Sequence, residues 1–207
     1  FLAFLVPPTA FADDPPEKKF PDFAVVTKGA KEFDGLYKLY QKDDHVFLEL
    51  RPDQMDKPVL APIAIARGMS LGGHTLNFDE QWVLVFKRVG DKVFLVRRNV
   101  HFKAKADTPV ALAVETTYND SVLMALPIKT INPAKNAVLI DLNQIFFSDF
   151  ADLNLGALDR ERTTWHKVKA FPKNIELQVQ ATYVGGHVGE DDGVIDARGK
   201  TVVVHYG

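Results

Sequence analysis

Two residues of the sequence, His187 and Glu190, have the types and the spacing of a metal-binding or water-activating pair. Zinc hydrolases use such groups in the motif H-E-x-x-H, where a helix holds two imidazoles on one face and a carboxylate activates water. Neither this motif nor its inverted form H-x-x-E-H is present, because Asp191 occupies the position of the second histidine. Residues 185–189 also contain three glycines, which disfavour the helix that would orient the pair. The segment is therefore interpreted as a solvated hairpin loop.

A second chemical pattern is the acidic run of residues 190–193, Glu-Asp-Asp-Gly, followed by Asp196. Closely spaced carboxylates are typical of calcium loops, which bind the cation through oxygen ligands. The spacing D-x-D-x-D-G with a distal glutamate, which defines an EF-hand, is not met here. A solvated acidic loop is the preferred interpretation, and an adventitious calcium site is the alternative.

The tripeptide Gly-Gly-His occurs twice, at residues 72–74 and 185–187. Paired glycines permit positive φ angles and close backbone approach. In a functional interpretation, His74 and His187 would converge on one ligand. Two similar turns that arose by chance are the preferred interpretation.

The other histidines do not belong to a catalytic motif. We predict that His45 lies exposed in a hairpin loop and that His101 and His205 are packing residues within strands. His166 falls in the polar stretch of residues 159–169. A solvated helix is preferred for this stretch over a surface that contacts another domain.

The serines and glycines give no catalytic or nucleotide-binding motif either. Ser70, Ser121 and Ser148 are the only serines, and none occurs in the nucleophile motif G-x-S-x-G. The phosphate-binding strings G-x-x-x-x-G-K-[ST] and G-x-G-x-x-G are also missing. Sequence motifs therefore assign no catalytic, cofactor-binding or metal-binding residue.

Alternating apolar residues predict that most of the chain forms strands. Residues 36–41 and 46–50 flank a polar turn and predict a hairpin. Residues 81–89 and 92–98 predict a second hairpin, which turns through Gly90 and Asp91. Both faces of the 81–89 segment are apolar, so this strand is expected to be central and covered on both sides.

Further strands are predicted along the rest of the chain. The cleanest alternation runs over residues 175–183, which are expected to pair with residues 201–206 across the loop 185–199. Residues 58–67 contain two prolines and suit an edge strand or an extended segment. Two more strand-like segments flank a turn at Asn132 and Pro133: residues 122–131 and 137–142.

The helical content is predicted to be small. Thr108 resembles an N-cap before Pro109, and the following apolar stretch continues the helix to about Tyr118. Short helical turns are expected at residues 143–150 and 155–162. The fold class is therefore α+β, a predominantly antiparallel β-sheet with a few short helices.

Composition limits the function classes. The 207 residues are 46% hydrophobic and 25% charged, as expected for a globular domain that buries its own core. With 25 basic and 27 acidic residues, the chain has no overall basic field that would bind nucleic acid. Cysteine is absent, which excludes disulfides, thiolate metal sites and cysteine nucleophiles.

The start of the chain has the pattern of an export signal. Residues 1–12 combine an apolar run with the small-x-small sequence that ends at Ala12, so they are interpreted as the remnant of a signal peptide. The run is too short for a stable membrane span. Residues 13–21 are charged and proline-rich, as in a linker, and residues 22–207 are predicted to form one β-rich domain. We expect export to the periplasm or the extracellular space, and a natural protein that continues beyond Gly207.

Aromatic residues are plentiful, with 15 phenylalanines that mostly fall in core patterns. For the group Phe146, Phe147 and Phe150 a place in the core is the preferred interpretation as well. An inter-domain contact, which a surplus of aromatic side chains suits, is the alternative.

Several stretches, in this order, resemble the N-terminal domain of unknown function that is found in large secreted bacterial zinc metalloproteases. The resemblance extends over about residues 20–207 and is carried by residues 33–42 (FDGLYKLYQK), 46–50 (VFLEL), 65–69 (IARGM), 71–73 (LGG), 83–88 (VLVFKR), 93–96 (VFLV), 137–142 (AVLIDL) and 147–149 (FSD).

The resemblance implies an accessory role. In that family a metzincin-like domain with an extended H-E-x-x-H-x-x-G-x-x-H motif follows, and zinc would be bound there. No position of this chain matches that motif, so none of its ligands is carried over and no cofactor is expected here. The implied partners are the downstream peptidase domain and a protein or peptide substrate. The domain would assist folding, gating or substrate docking.

Two other functions stay open. The chain could be a stand-alone exported binding module for a glycan or a protein. It could also be an enzyme in its own right that uses His187 and Glu190 or the acidic loop.

Overall fold

A computed structural model describes residues 19–68, 82–185, 196 and 198–207. The segments predicted to be the signal remnant and most of the linker lie outside the described residues. Where the structure describes the end of that linker, it contacts the body of the protein: Lys19 pairs with Asp91 at 2.5 Å, and the Thr130 hydroxyl donates to the Pro21 carbonyl.

The described strands form three antiparallel sheets, which confirms the predicted fold class. Sheet I consists of β1 (Lys31–Phe33), β2 (Lys38–Lys42), β3 (His45–Leu50), β9 (Thr130–Asn132) and β10 (Ala137–Asp141). Sheet II consists of β4 (Val59–Ala61), β6 (Trp82–Val89), β7 (Lys92–Arg97) and β8 (Ser121–Pro127). Sheet III consists of β5 (Ile63–Arg67), β11 (Ala157–Leu158), β12 (Thr164–Ala170), β13 (Ile175–Val184) and β14 (Lys200–Tyr206).

The order of the strands leaves several sheet edges. Sheet I has the order β1-β2-β3-β10-β9 and sheet II the order β4-β6-β7-β8. Sheet III has the order β11-β13-β14-β5, with β12 also paired to β13. The helices of the described residues are short: α1 (Phe23–Thr27), α2 (Pro109–Thr117), α3 (Asn143–Phe146) and a 3₁₀ turn (Pro52–Gln54).

All three sheets bury apolar side chains in one continuous core. Sheet I contributes Leu48 and Ile140, sheet II contributes Leu95, and sheet III contributes Val179 and Val204, each almost fully buried. Since a sheet is stable only when its apolar face is covered, each sheet here depends on the other two.

Both predicted hairpins are confirmed. Strands β2 and β3 pair in a register that places Lys42 opposite His45, with Asp43 at a φ of 53° in the turn. Strands β6 and β7 place Val89 opposite Lys92, with Gly90 at a φ of 59°. Two-residue turns with positive φ match the twist of paired strands. Strand β6 is internal to sheet II, as its two apolar faces predicted.

The predicted pairing across the loop 185–199 is also confirmed, because β13 and β14 pair from Leu177 opposite Tyr206 to Tyr183 opposite Lys200.

The helix expected after Thr108 is α2, and the Thr108 hydroxyl accepts a hydrogen bond from the Ala111 amide at 3.1 Å. The segment 122–131 forms two strands rather than one, β8 and β9, which end at Pro127 and begin at Thr130.

Three local predictions were wrong. Residues 155–162 contain the strand β11 in place of a helical turn, and the polar stretch 159–169 contains most of β12 in place of a solvated helix. Strand β12 alternates poorly because a bulge between Trp165 and Lys167 interrupts its two-residue period. His101 lies after the end of β7 and is exposed, so it does not pack within a strand.

A buried carboxylate stabilises sheet I. Glu49, 2% exposed, accepts hydrogen bonds from the Tyr40 hydroxyl at 2.7 Å, from Lys135 at 3.0 Å and from Asn132 at 3.3 Å. Burial alone raises the pKa of Glu49, but these three donors outweigh it and hold the pKa below its ordinary value. The ionised carboxylate is therefore part of the folded structure.

We predict that Glu49→Gln lowers the free energy of unfolding at pH 7 by about 2 kcal/mol, because a hydrogen bond to a charged group contributes roughly that amount. The lowered pKa stabilises the fold above the ordinary glutamate pKa and loses this effect as the pH falls through the folded-state value. Urea unfolding at pH 7 and pH 3 should thus show a difference between wild type and variant that shrinks in acid. Glu32→Gln removes an exposed carboxylate beside Lys38 and is the control; an equal loss in both variants would contradict the prediction.

A second prediction concerns Gly156, which has a φ of 120°. A Cβ atom there would lie 2.5 Å from the Val184 carbonyl oxygen and 2.9 Å from that of Gly185. Gly156→Ala is expected to lower the free energy of unfolding by about 3 kcal/mol, since the clash adds to the backbone strain. Gly90 also has a positive φ, but its 59° lies in the left-handed helical region and a Cβ there meets no atom within 4 Å. Gly90→Ala should therefore lose only about 1 kcal/mol in the same urea titration.

Candidate functional site

Most of the residues that the sequence analysis considered as metal-binding or catalytic candidates lie outside the described parts of the chain. His74, His187, Glu190 and the rest of the acidic run lie outside the described residues. Asp196 is described, and the Arg198 guanidinium binds it at 2.5 Å. This hydrogen bond holds the pKa of Asp196 below its usual range. Among the described residues, no three His, Asp or Glu side chains are grouped closely enough to hold a metal ion.

Of the described histidines, His45 makes the most specific contact. It is exposed at the start of β3, and its Nδ1 lies 2.9 Å from Oδ2 of the buried Asp141 at the end of β10. Its ring stacks on Phe47 at 5.8 Å. A carboxylate that binds one imidazole nitrogen fixes the orientation of the ring, as in catalytic and metal-binding histidines.

Asn143 links this pair to sheet III. Its side-chain oxygen accepts hydrogen bonds from the Val46 amide at 3.2 Å and from Trp165 Nε1 at 2.9 Å. Its side-chain amide donates to the Asp44 carbonyl, and its backbone amide donates to Asp141. No Ser, Thr or Tyr hydroxyl of the described chain hydrogen-bonds to His45. The contacts of this group connect elements of the fold, and a reacting partner for the imidazole is not among them.

A large concave feature of the described structure is an apolar cleft of about 720 Å³ that is lined by residues of all three sheets. Its walls include Leu48 of sheet I, Phe86 of sheet II and Leu177 of sheet III. The segment Pro58–Pro62, which contains β4, forms one side. A mostly apolar cleft with few polar groups is the usual form of a ligand-binding site.

Aromatic rings line the floor of the cleft. Phe146 contacts Tyr206 with ring centroids 4.5 Å apart and Phe150 at 5.7 Å, and Phe150 also packs on Trp82. The aromatic surplus in the sequence is thus placed in the core, at the cleft. Phe147 is buried beside Trp165. The preferred interpretation of these phenylalanines as core residues is therefore confirmed, and the alternative of an inter-domain contact stays untested.

The tyrosines of the cleft are held neutral. Burial raises the pKa of the Tyr206 phenol, and the negative charge of Asp149 raises it further. Burial also raises the pKa of Tyr37, although Arg51 partly opposes the shift. Besides these tyrosines, the polar side chains of the cleft are Lys173, Asn174, Glu176 and His205. The site is therefore an apolar, uncharged floor with a mixed polar border.

One side of the cleft is an edge strand. Strand β4 ends the order of sheet II and pairs with β6 from Val59 opposite Leu84 to Ala61 opposite Trp82. Leu60 is 65% exposed although it is a large apolar side chain on the cleft. An edge strand beside apolar pockets can accept an extended peptide as an additional strand.

Sequence reasoning placed residues 58–67 at an edge but did not find the cleft. Its walls come from segments as distant as Leu36 and Gly207, and no local pattern connects them. The one available signal was Leu60 between two prolines, an apolar residue in a segment that cannot be a central strand. No helix in the described parts of the chain is long and apolar enough to cross a bilayer.

Comparison with known proteins identified one family. A model of the family described as Domain of unknown function (DUF5117) matches residues 77–206, more than half of the chain. The matched range contains β6 to β14 and therefore most of sheets II and III. No curated protein and no solved structure matches the chain.

We predict that Asn143→Ala lowers the free energy of unfolding by about 3 kcal/mol, because the Val46 amide and Trp165 Nε1 lose their acceptor inside the protein. Tryptophan fluorescence during urea unfolding measures the change. Asn174→Ala, at an exposed position, is the matched control and should change the value by less than about 0.5 kcal/mol. Equal effects of the two substitutions would show that Asn143 does not connect the sheets.

Proposed function

We propose that this chain, which belongs to the DUF5117 family of domains of unknown function, is a non-catalytic docking domain. It binds an extended apolar segment of a polypeptide in the cleft and serves a zinc peptidase domain of the same protein. The observation that carries this proposal is the apolar cleft of about 720 Å³ beside the edge strand β4.

The shape and chemistry of the cleft favour a peptide over a small polar ligand. Strand β4 ends the strand order of sheet II among the described strands, and Pro58 and Pro62, which flank it, limit this edge to about three residues. A peptide strand presents alternate side chains to one face. Leu60 and the aromatic floor would receive the apolar side chains of that face.

The link to a peptidase rests on the resemblance of residues 20–207 to the N-terminal domain of secreted bacterial zinc metalloproteases. In this proposal the zinc and its ligands belong to the downstream domain, and the present chain captures substrate or gates access to it. The apolar run and the small-x-small sequence of residues 1–12 support export to the periplasm or the extracellular space.

A binding module that acts without a peptidase is the second candidate, for a protein or a glycan. The aromatic rings of Phe146, Phe150 and Tyr206 on the cleft favour it, because sugar rings also pack on aromatic faces. The open reading frame distinguishes the two: the peptidase link fails if no H-E-x-x-H string follows within several hundred residues. In that case peptide or glycan binding in the cleft would still be testable.

Docking can be tested with the chain as it exists and a labelled decapeptide of alternating Leu and Thr. Fluorescence anisotropy should show saturable binding, and a Ser-for-Leu version of the peptide should not bind. Leu60→Asp is expected to weaken binding at least tenfold, because it places a charge where an apolar side chain is received. A glycan array on the same protein tests the second candidate.

Leu112→Asp provides the matched control. Leu112 is 66% exposed, which is close to the value for Leu60, but it lies on α2 and does not line the cleft. Its substitution should change the dissociation constant less than twofold. If Leu112→Asp weakens binding as much as Leu60→Asp, the peptide binds apolar surface in general and the docking site is not the cleft.

A further inference from the structure

A second concave surface lies on the outward face of sheet III, away from the cleft floor. It is a depression of about 370 Å³, and its lining consists of Ala66, Arg67, His166, Lys167, Gln178 and Val203. Three of these side chains can carry a positive charge, and the described lining contains no carboxylate. We propose that this depression binds a phosphate or sulfate group of a small soluble ligand.

A bulge in the backbone of sheet III places two basic side chains side by side at the depression. In β12 the bulge leaves His166 as the extra residue, between Trp165 opposite Val179 and Lys167 opposite Gln178. His166 and Lys167 are consequently adjacent in sequence and both exposed. In a regular strand, neighbouring residues would point to opposite faces.

A second bulge lies on the other side of the sheet. In β5 the extra residue is Ala66, because Val203 pairs with Arg67 and Val204 pairs with Ile65. Ala66 and Arg67 are both exposed as a result. Bulges of this kind redirect side chains and are common beside functional sites.

The two bulges lie at the same level of the sheet. The β12 bulge is opposite Val179 of β13, and the β5 bulge is opposite Val204 of β14. Val179 and Val204 are themselves direct partners. Arg67 therefore approaches the depression from one edge strand, while His166 and Lys167 approach it from the other.

The three basic side chains of the depression have no carboxylate partner in the described structure. No ion pair or side-chain hydrogen bond of the described chain involves Arg67, His166 or Lys167. The nearest carboxylate on this face of β13 is Glu176, which is paired in register with Lys169, one outward position beyond the lining. Cations without carboxylate partners keep their capacity to bind an anion.

The placement of the donors selects a tetrahedral anion. A planar carboxylate is bound best by a single guanidinium fork from one side. Donors that approach from two opposite strands instead surround the anion, which suits the three or four oxygens of a phosphate or sulfate group. The volume of the depression admits such a group with a small attached moiety and is too small for a folded partner.

Titration of the isotope-labelled chain with inorganic phosphate, followed by amide chemical shifts, tests the site. Saturable shifts are expected for the amides of residues 66–67, 166–167 and 178, with weaker or no shifts for acetate. Arg67→Gln and Lys167→Gln should each weaken phosphate binding at least fivefold, and Arg67→Lys should retain part of it.

Lys169→Gln is the control, because Lys169 is the next outward lysine of β12 and does not line the depression. It should change the dissociation constant less than twofold. The proposal is overturned if phosphate shifts are scattered over all surface lysines, or if Lys169→Gln and Lys167→Gln have equal effects. It is also overturned if inorganic phosphate produces no local shifts while the protein sediments with vesicles that contain phosphatidic acid, since the surface would then recognise a membrane.

Discussion

The rest of the structure depends on the burial of one apolar core by three sheets at once. In the described part of the chain, all three sheets contribute side chains to the same hydrophobic core. Because burial of apolar area is the main favourable contribution to folding, the sheets cannot be stable independently. Two buried polar groups add specific links to this core. Glu49 connects strands within sheet I, and Asn143 connects the β2–β3 turn region to Trp165 of sheet III.

This constraint also explains the cleft. Three twisted sheets cannot cover each other completely, and the uncovered region lies where β4, the start of β13 and the end of β14 meet. The segment Pro58–Pro62 runs between sheet II and sheet III, and the Gly207 amide donates to the Pro62 carbonyl at 3.1 Å. The chain therefore crosses from one sheet to the next at the border of the cleft. An apolar floor at that position follows from the shared core, and Leu60 extends the apolar surface outward to solvent.

How much of this could be predicted from the sequence depends on how local each pattern is. Strand β13 was predicted because Leu177, Val179, Ala181 and Tyr183 alternate strictly and are all buried. The hairpins were predicted because their turns require only two residues. Strand β12 was not, because its bulge breaks the period and its outward face is rich in charge. The family resemblance and the DUF5117 match agree on a domain of unknown function.

Neither surface proposed for binding has a local sequence pattern. The cleft joins Leu36 to Gly207, and the basic depression joins Arg67 to Lys167. These residues are far apart in the sequence, and the strand order of the folded sheets brings them close together. Motif searches detect groups that are close in sequence, such as His187 and Glu190, and miss groups that pairing brings together. Fold prediction was thus more complete than site prediction for a physical reason: hydrophobic period is local, whereas a site formed at sheet edges is not.

Sheet III contributes residues to both surfaces, because its two faces differ. Its inward positions, such as Leu177 and Tyr206, belong to the core and to the floor of the cleft. Its outward positions are mostly polar, and two bulges on opposite edge strands place cations there. A hydrogen bond connects the two surfaces: Nε2 of Gln178, in the depression, lies 3.3 Å from Nδ1 of His205 at the border of the cleft. Regular pairing of β13 with β14 fixes both side chains, so the geometry of each surface is set by the same register. A change of that register by one residue would turn the apolar positions of one of these strands from the core to the outward face, which is why the core and the two surfaces cannot vary independently.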